Sequence, residues 1–279
     1  MSKENYQNKA ILTVLGSKKF LCVCVLTSLI GLICTLVTAS EASIFDFLGV
    51  DSHSFLSIFF ELFIDCLVSA IGEYDFDEYY MLFRSFSTVC SVVDFLTLII
   101  FATGLLFMFF GGIKFSHKTA SKGCFLVLIF LGYHLLSIIF QAVLILAMLV
   151  IDVVSISYFD FGKLMLLGIY SLGIIYFVKS FNLVSRIRKS LNGDSLQGEV
   201  QVPAFLILIN WIMFIVWIIW VAITFLLTIF VVRVVFVFTI INTMLTALCY
   251  RAYEKHRILG FSEFVLDEEV EEDVTKEEV

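Results

Sequence analysis

Charged residues are scarce in this chain of 279 residues: Asp, Glu, Lys and Arg make up 15% of it, against roughly 25% in ordinary soluble domains. Hydrophobic residues make up 61% of the chain. Uncharged stretches of about 20 residues, long enough to cross a hydrocarbon core of roughly 30 Å, recur along the sequence. A water-soluble fold is therefore excluded, and the sequence predicts an integral membrane protein that crosses the bilayer several times.

Proline is almost absent, since Pro203 is the only one where average usage would give roughly 14. Transport pathways commonly contain helices that are broken by proline or glycine. Here the single proline precedes an apolar stretch, and Gly104, Gly168 and Gly173 stand alone within such stretches. The pattern favours continuous helices and an all-α fold.

Patterns typical of metal sites and catalytic sites are also missing. The four histidines are scattered, and the seven cysteines show neither a C-x-x-C motif nor the Cys/His spacing of zinc sites. Cys66 and Cys90 are the two cysteines placed to meet an oxidising exterior, and their pairing stays open. We predict that the protein is not an enzyme, and that it has no catalytic residues, no metal, no cofactor and no nucleic-acid partner.

Six apolar stretches predict a polytopic bundle of about six transmembrane helices. The transmembrane domain covers residues 20–250, with spans at about 20–39, 90–113, 124–151, 164–181, 204–226 and 230–250. Residues 204–250 contain one charge, Arg233, and would form a single helix of about 70 Å, which is too long for one bilayer. A signal peptide cleaved near Ala39 is the alternative for the first span, but its apolar run exceeds the usual 7–15 residues.

The remaining segments complete the predicted topology. Residues 1–19 are predicted to be a cytoplasmic N-terminal segment. Residues 251–279 are predicted to be a cytoplasmic helix end, capped at Gly260, with an acidic disordered tail. The outer loop at 40–89 contains an apolar stretch, residues 55–71, with polar residues at every fourth position. This spacing predicts one outer interfacial amphipathic helix.

The distribution of charge sets the orientation. In this arrangement 15 of the 18 Lys and Arg side chains lie on one side of the membrane. The positive-inside rule assigns that side to the cytoplasm, which predicts a multi-pass protein of the cell membrane with both termini cytoplasmic. The last 13 residues, Asp267–Val279, hold eight acids and one lysine, so the tail accounts for the whole formal net charge of -7.

Two sets of polar residues inside the predicted spans are the candidate functional residues, because ionisable and amide groups are costly in lipid. His134, Gln141, Asn210 and Asn242 form a candidate polar cluster. They would line a cavity or a proton path, or they would join helices by hydrogen bonds. Asp94 and Arg233 lie at similar predicted depth; an interhelical ion pair, separate snorkelling to the headgroups and a substrate role stay open.

These features predict a non-enzymatic accessory, scaffold or regulatory membrane component. Its predicted partner is the lipid bilayer, and other membrane proteins or a second copy are further candidates. The alternative is a small-solute or ion transporter or channel. A third hypothesis, a membrane-embedded enzyme, would use the carboxylates of Glu61 and Asp65, which lie one turn apart; a solvated helix face is the competing interpretation of this pair.

Overall fold

The structure, a computed structural model, describes residues 3–39, 76–154, 161–193, 199–224 and 230–277. All regular elements in these ranges are α-helices, so the predicted all-α fold is confirmed. The helices are α1 Lys3–Leu15, α2 Lys18–Ala39, α3 Phe76–Ile113, α4 His117–Val154, α5 Phe161–Asn192, α6 Ala204–Thr224 and α7 Phe230–Glu277.

Within the described residues, five helices are long and apolar enough to cross a membrane. The segments that meet this criterion are Val92–Ile113, His117–Val150, Gly162–Asn192, Ala204–Ala222 and Arg233–Leu259. Helix α1 and the start of α2 form a sixth candidate span, in which Tyr6–Leu15 and Lys18–Ile33 are bent by 53° at a short break. The chain is thus a polytopic all-α membrane protein.

Several sequence predictions lie outside the described residues. They are the outer amphipathic helix at 55–71, the carboxylate pair Glu61 and Asp65, and the cysteine at Cys66. The side chain of Cys90 also lies outside the described part of the structure, so its pairing stays a prediction.

Two helix ends relate differently to the sequence pattern. Helix α5 stops at Asn192, and Gly193 follows with a φ of 75°, a left-handed conformation that favours glycine. Helix α7, in contrast, continues through Gly260 to Glu277 instead of ending at that glycine. A single glycine inside a helix costs only about 1 kcal/mol, which does not by itself end the helix.

The chain divides into two compact units, of which the first comprises residues 1–28, 101–128 and 182–279. Helix α1 belongs to the core of this unit, and it packs against α7. Its buried side chains are Asn8, Ala10, Ile11, Leu12, Val14 and Leu15. Most of the segment predicted as an N-terminal cytoplasmic region is therefore a packed helix.

Glycine allows α1 to approach the end of α3. A Cβ atom at Gly112 would lie 2.6 Å from the carbonyl carbon of Leu15, and one at Gly16 would lie 2.9 Å from the carbonyl carbon of Gly112. Both distances are shorter than real Cβ contacts, so the two backbones touch only because neither residue has a side chain. The first unit is closely packed at this point.

The second unit comprises residues 29–100 and 129–181. Within it α4 and α5 are neighbours: a Cβ atom at Gly173 would overlap the Cδ1 methyl of Ile138, and the rings of His134 and Phe177 stack with centroids 6.0 Å apart. Gly31 of α2 lies similarly close to Leu98 of α3. This unit carries the polar face of α4.

Candidate functional site

One face of α4 in the second unit carries three polar side chains, those of His134, Ser137 and Gln141. Their spacing of three and then four residues places them on successive turns of one helix face. Gln141 is fully buried and Ser137 is 5% exposed. The hydroxyl of Ser137 has no hydrogen-bond partner among the described residues. Sequence reasoning missed Ser137, although its spacing from His134 was the available signal.

Aromatic rings surround the imidazole of His134. The ring centroids of Phe130 and Tyr133 lie 4.2 Å and 5.1 Å from that of His134, both in edge arrangements, and Phe177 of α5 stacks at 6.0 Å. Such contacts stabilise a packed aromatic cluster through their offset and edge geometry. His134 therefore helps to hold α4 against α5 in this unit.

Asp94 of α3 is bound by a neighbouring helix. The hydroxyl of Tyr133 donates a hydrogen bond of 2.6 Å to the Oδ1 atom of Asp94. A hydrogen bond to an ionised carboxylate is shorter and stronger than one between neutral groups. This bond joins α3 to α4 inside the second unit. Arg233 belongs to the first unit, so its predicted ion pair with Asp94 stays a prediction.

Asn242 of α7 forms a reciprocal pair with Thr27 of α2 in the first unit. The Thr27 hydroxyl donates to Oδ1 of Asn242 at 3.2 Å, and Nδ2 of Asn242 donates to the same hydroxyl at 3.1 Å. Asn210 is buried and donates from Nδ2 to the carbonyl of Leu206, one turn earlier in α6, at 2.7 Å. The amide of Asn210 thus bonds within its own helix, and that of Asn242 joins two helices.

The four residues of the predicted polar cluster belong to two different units. His134 and Gln141 belong to the second unit, whereas Asn210 and Asn242 belong to the first. Their convergence on one cavity stays a prediction.

The structure also contains a polar contact layer around α1 that sequence reasoning missed. The Ser190 hydroxyl donates to Oδ1 of Asn8 at 2.6 Å, and Gln7 donates to that hydroxyl at 3.1 Å. The side-chain oxygen of Gln7 accepts from the N–H of Val200, and Tyr253 donates to the carbonyl of Val200 at 2.6 Å. Contacts across such sequence separations leave no periodic signal in the sequence.

The segment before α6 is held by charged groups of α7. Glu254 accepts a hydrogen bond of 2.7 Å from the backbone N–H of Val202. Arg257 pairs with Glu254 at 2.8 Å and also with Glu199. Three charges therefore fix the chain that leads into α6.

The described residues contain no group of three or more His, Cys, Asp or Glu side chains that could hold a metal ion. Comparison of the chain with protein-family models, with curated proteins and with solved structures finds no match.

Proposed function

We propose that the protein is a non-enzymatic accessory, scaffold or regulatory component of the membrane that acts through helix packing. The reciprocal pair of Thr27 and Asn242 carries this proposal. A transport site presents its polar groups to the substrate, whereas these two groups bind each other and join α2 to α7. Interhelical hydrogen bonds of this kind are worth about 0.6 to 2 kcal/mol each, and they stabilise a bundle.

The exposed apolar faces of α5 and α6 support the same proposal. Only 6% of the most apolar segment of α5, and 11% of that of α6, is buried within the chain. Leu208, Ile215 and Ile219 of α6 are each more than half exposed. Lipid covers such a face, and so does a helix of another membrane protein or of a second copy.

Photo-crosslinking in the native membrane tests the proposed partner. A photoreactive amino acid at Leu208, which is 60% exposed, should give a discrete protein adduct. The matched control is Leu206 of the same helix, which is fully buried and should give no adduct with another chain. Lipid adducts alone from Leu208, together with catalytic turnover by the purified protein in liposomes, would contradict the proposal.

We further propose that the protein resides in the cell membrane with both termini in the cytoplasm. Three lysines support this orientation through the positive-inside rule: Lys114 in the turn between α3 and α4, and Lys118 and Lys122 near the start of α4. Single cysteines placed at Lys118 and at Lys163 in a cysteine-free chain provide the test. An impermeant thiol reagent added from outside should label the cysteine at 163 and leave that at 118 unmodified; the opposite pattern would reverse the topology.

A small-solute or ion transporter or channel is the second candidate function. The buried Ser137 hydroxyl favours it, because a buried polar atom with no partner among the described residues suits a hydrated site. Solute or proton flux in proteoliposomes that falls on substitution of His134→Ala, but not of the exposed Leu136→Ala, would support transport. Equal flux in both variants, or flux no greater than in protein-free liposomes, would exclude this function for the α4 face.

A further inference from the structure

The start of α4 presents a basic face in the first unit. Lys118, Lys122 and Phe125 follow the i, i+4, i+7 spacing that places side chains on one side of a helix. All three residues are exposed, and Phe125 is 47% exposed. The first turn of α4 contains no acidic residue. This face therefore combines two cations with an apolar ring.

The end of α5 lies against the same face of α4. The guanidinium carbon of Arg188 lies 4.7 Å from the ring centroid of Phe125, within the range of a cation–π contact. One turn later in α5 and one turn earlier in α4, the Ser121 hydroxyl donates to Oδ1 of Asn192 at 2.5 Å. The two helix ends are therefore antiparallel, with Arg188 beside the basic face. Lys189, the residue that follows Arg188 in α5, is exposed.

These cations have no acidic counterpart among the described residues. Among the described side chains, ion pairs join Arg257 to Glu199 and Glu254, and none of these pairs involves Lys118, Lys122, Arg188 or Lys189. The Nε atom of Arg188 is buried and has no hydrogen-bond partner among the described residues. A planar guanidinium fixed over a ring is also preorganised for a phosphate, because its donors form a rigid fork.

We propose that Lys118, Lys122, Arg188 and Lys189 bind the phosphate of an anionic phospholipid headgroup. The complementary charge selects an anionic ligand, and the position of the cluster at the ends of two apolar helices places it at headgroup level. The exposed ring of Phe125 continues the site towards the apolar part of the helices, where an acyl chain would lie. A lipid, rather than free phosphate, satisfies both parts of the site.

Native mass spectrometry of the purified full-length protein tests this site with phosphatidylglycerol as the anionic probe and phosphatidylcholine as the zwitterionic one. We expect the double variant K122Q/K189Q to bind phosphatidylglycerol about fivefold or more weakly, since one cation near a membrane surface contributes that order of affinity. The variant leaves Arg188 and its ring contact in place, so the fold is kept. Phosphatidylcholine binding should not change.

One control, K255Q, and one further variant, R188K, separate a specific site from a general effect of charge. K255Q removes an exposed cation of α7 outside the cluster and should leave phosphatidylglycerol binding unchanged. R188K keeps the charge but loses the planar fork, and it should weaken binding. An equal loss in K255Q and K122Q/K189Q would overturn the proposal, as would unchanged binding in all variants or displacement of the lipid by millimolar inorganic phosphate.

Discussion

Asn8 and Ser190 lie 182 residues apart in the sequence and exchange two hydrogen bonds. The Ser190 hydroxyl donates to Oδ1 of Asn8 at 2.6 Å, and Nδ2 of Asn8 donates to the backbone carbonyl of Ser190 at 3.2 Å. Both residues are buried. The pair fastens the N-terminal helix to the last turn of α5, so the start of the chain is part of the folded core.

Substitution of Ser190→Ala should lower the free energy of unfolding in detergent by about 1–3 kcal/mol, because it leaves the buried Oδ1 of Asn8 without its donor. Ser171→Ala on the same helix is the matched control, since the Ser171 hydroxyl is exposed and binds only its own helix at Leu167. The control should stay within about 0.5 kcal/mol of the original chain. Equal effects in the two variants would show that the Asn8 contact contributes nothing.

Substitution of Gly112→Ala should destabilise the protein by about 1–3 kcal/mol, since the new Cβ would overlap the backbone of Leu15 and Gly16. Gly168→Ala is the control, because nothing lies within 4 Å of a Cβ at that position. There the higher helix propensity of alanine should raise stability by up to about 1 kcal/mol. Thermal unfolding of both variants measures the difference, and a stable Gly112→Ala protein would contradict the close approach.

Substitution of Asn242→Ala should cost about 0.6 to 2 kcal/mol, because it removes both bonds to Thr27. A double-mutant cycle with Thr27→Ala isolates the pair. The free energy of unfolding of the double variant should lie within a few tenths of a kcal/mol of that of the less stable single variant. Fully additive losses would mean that the two side chains act independently.

Substitution of Glu254→Ala should accelerate hydrogen exchange at the backbone amide of Val202 by about ten- to hundredfold, as expected when a donor loses a charged acceptor worth about 1.5–3 kcal/mol. The neighbouring Lys255→Ala is the control, because its side chain is exposed. Mass spectrometry of the peptide that precedes α6 measures the rate. Unchanged exchange in Glu254→Ala would show that other contacts hold this segment.

The candidate residues show how far a sequence pattern extends. The spacing of His134 and Gln141 follows from helix geometry alone, because both lie on one helix. The partners of Asp94 and Asn242 do not follow from it: Tyr133 and Thr27 are ordinary residues of apolar stretches, and only packing brings them into contact. Sequence reasoning selected the polar atoms that need a partner, but it did not select the partner.

The N-terminal helix shows the same limit. Residues 1–19 are polar and carry four lysines, a pattern that predicts a segment outside the bilayer. The buried set Ile11, Leu12, Val14 and Leu15 is too short to be recognised as a span. The contacts of this helix come from three other parts of the chain: Gly112 approaches the backbone of Leu15 and Gly16, and Ser190 and Val200 hydrogen-bond Gln7.

The sequence by itself determined that this is an all-α membrane protein, because the length of an apolar run must match the thickness of the bilayer and only a helix satisfies its own backbone there. It also determined that residues 204–250 form two helices, because a single helix of that length is too long for one bilayer. Only the tertiary structure decided which polar groups meet. Hydrogen bonds such as that of Asn8 with Ser190 depend on the close approach of helices that are distant in sequence, and no local pattern encodes that approach.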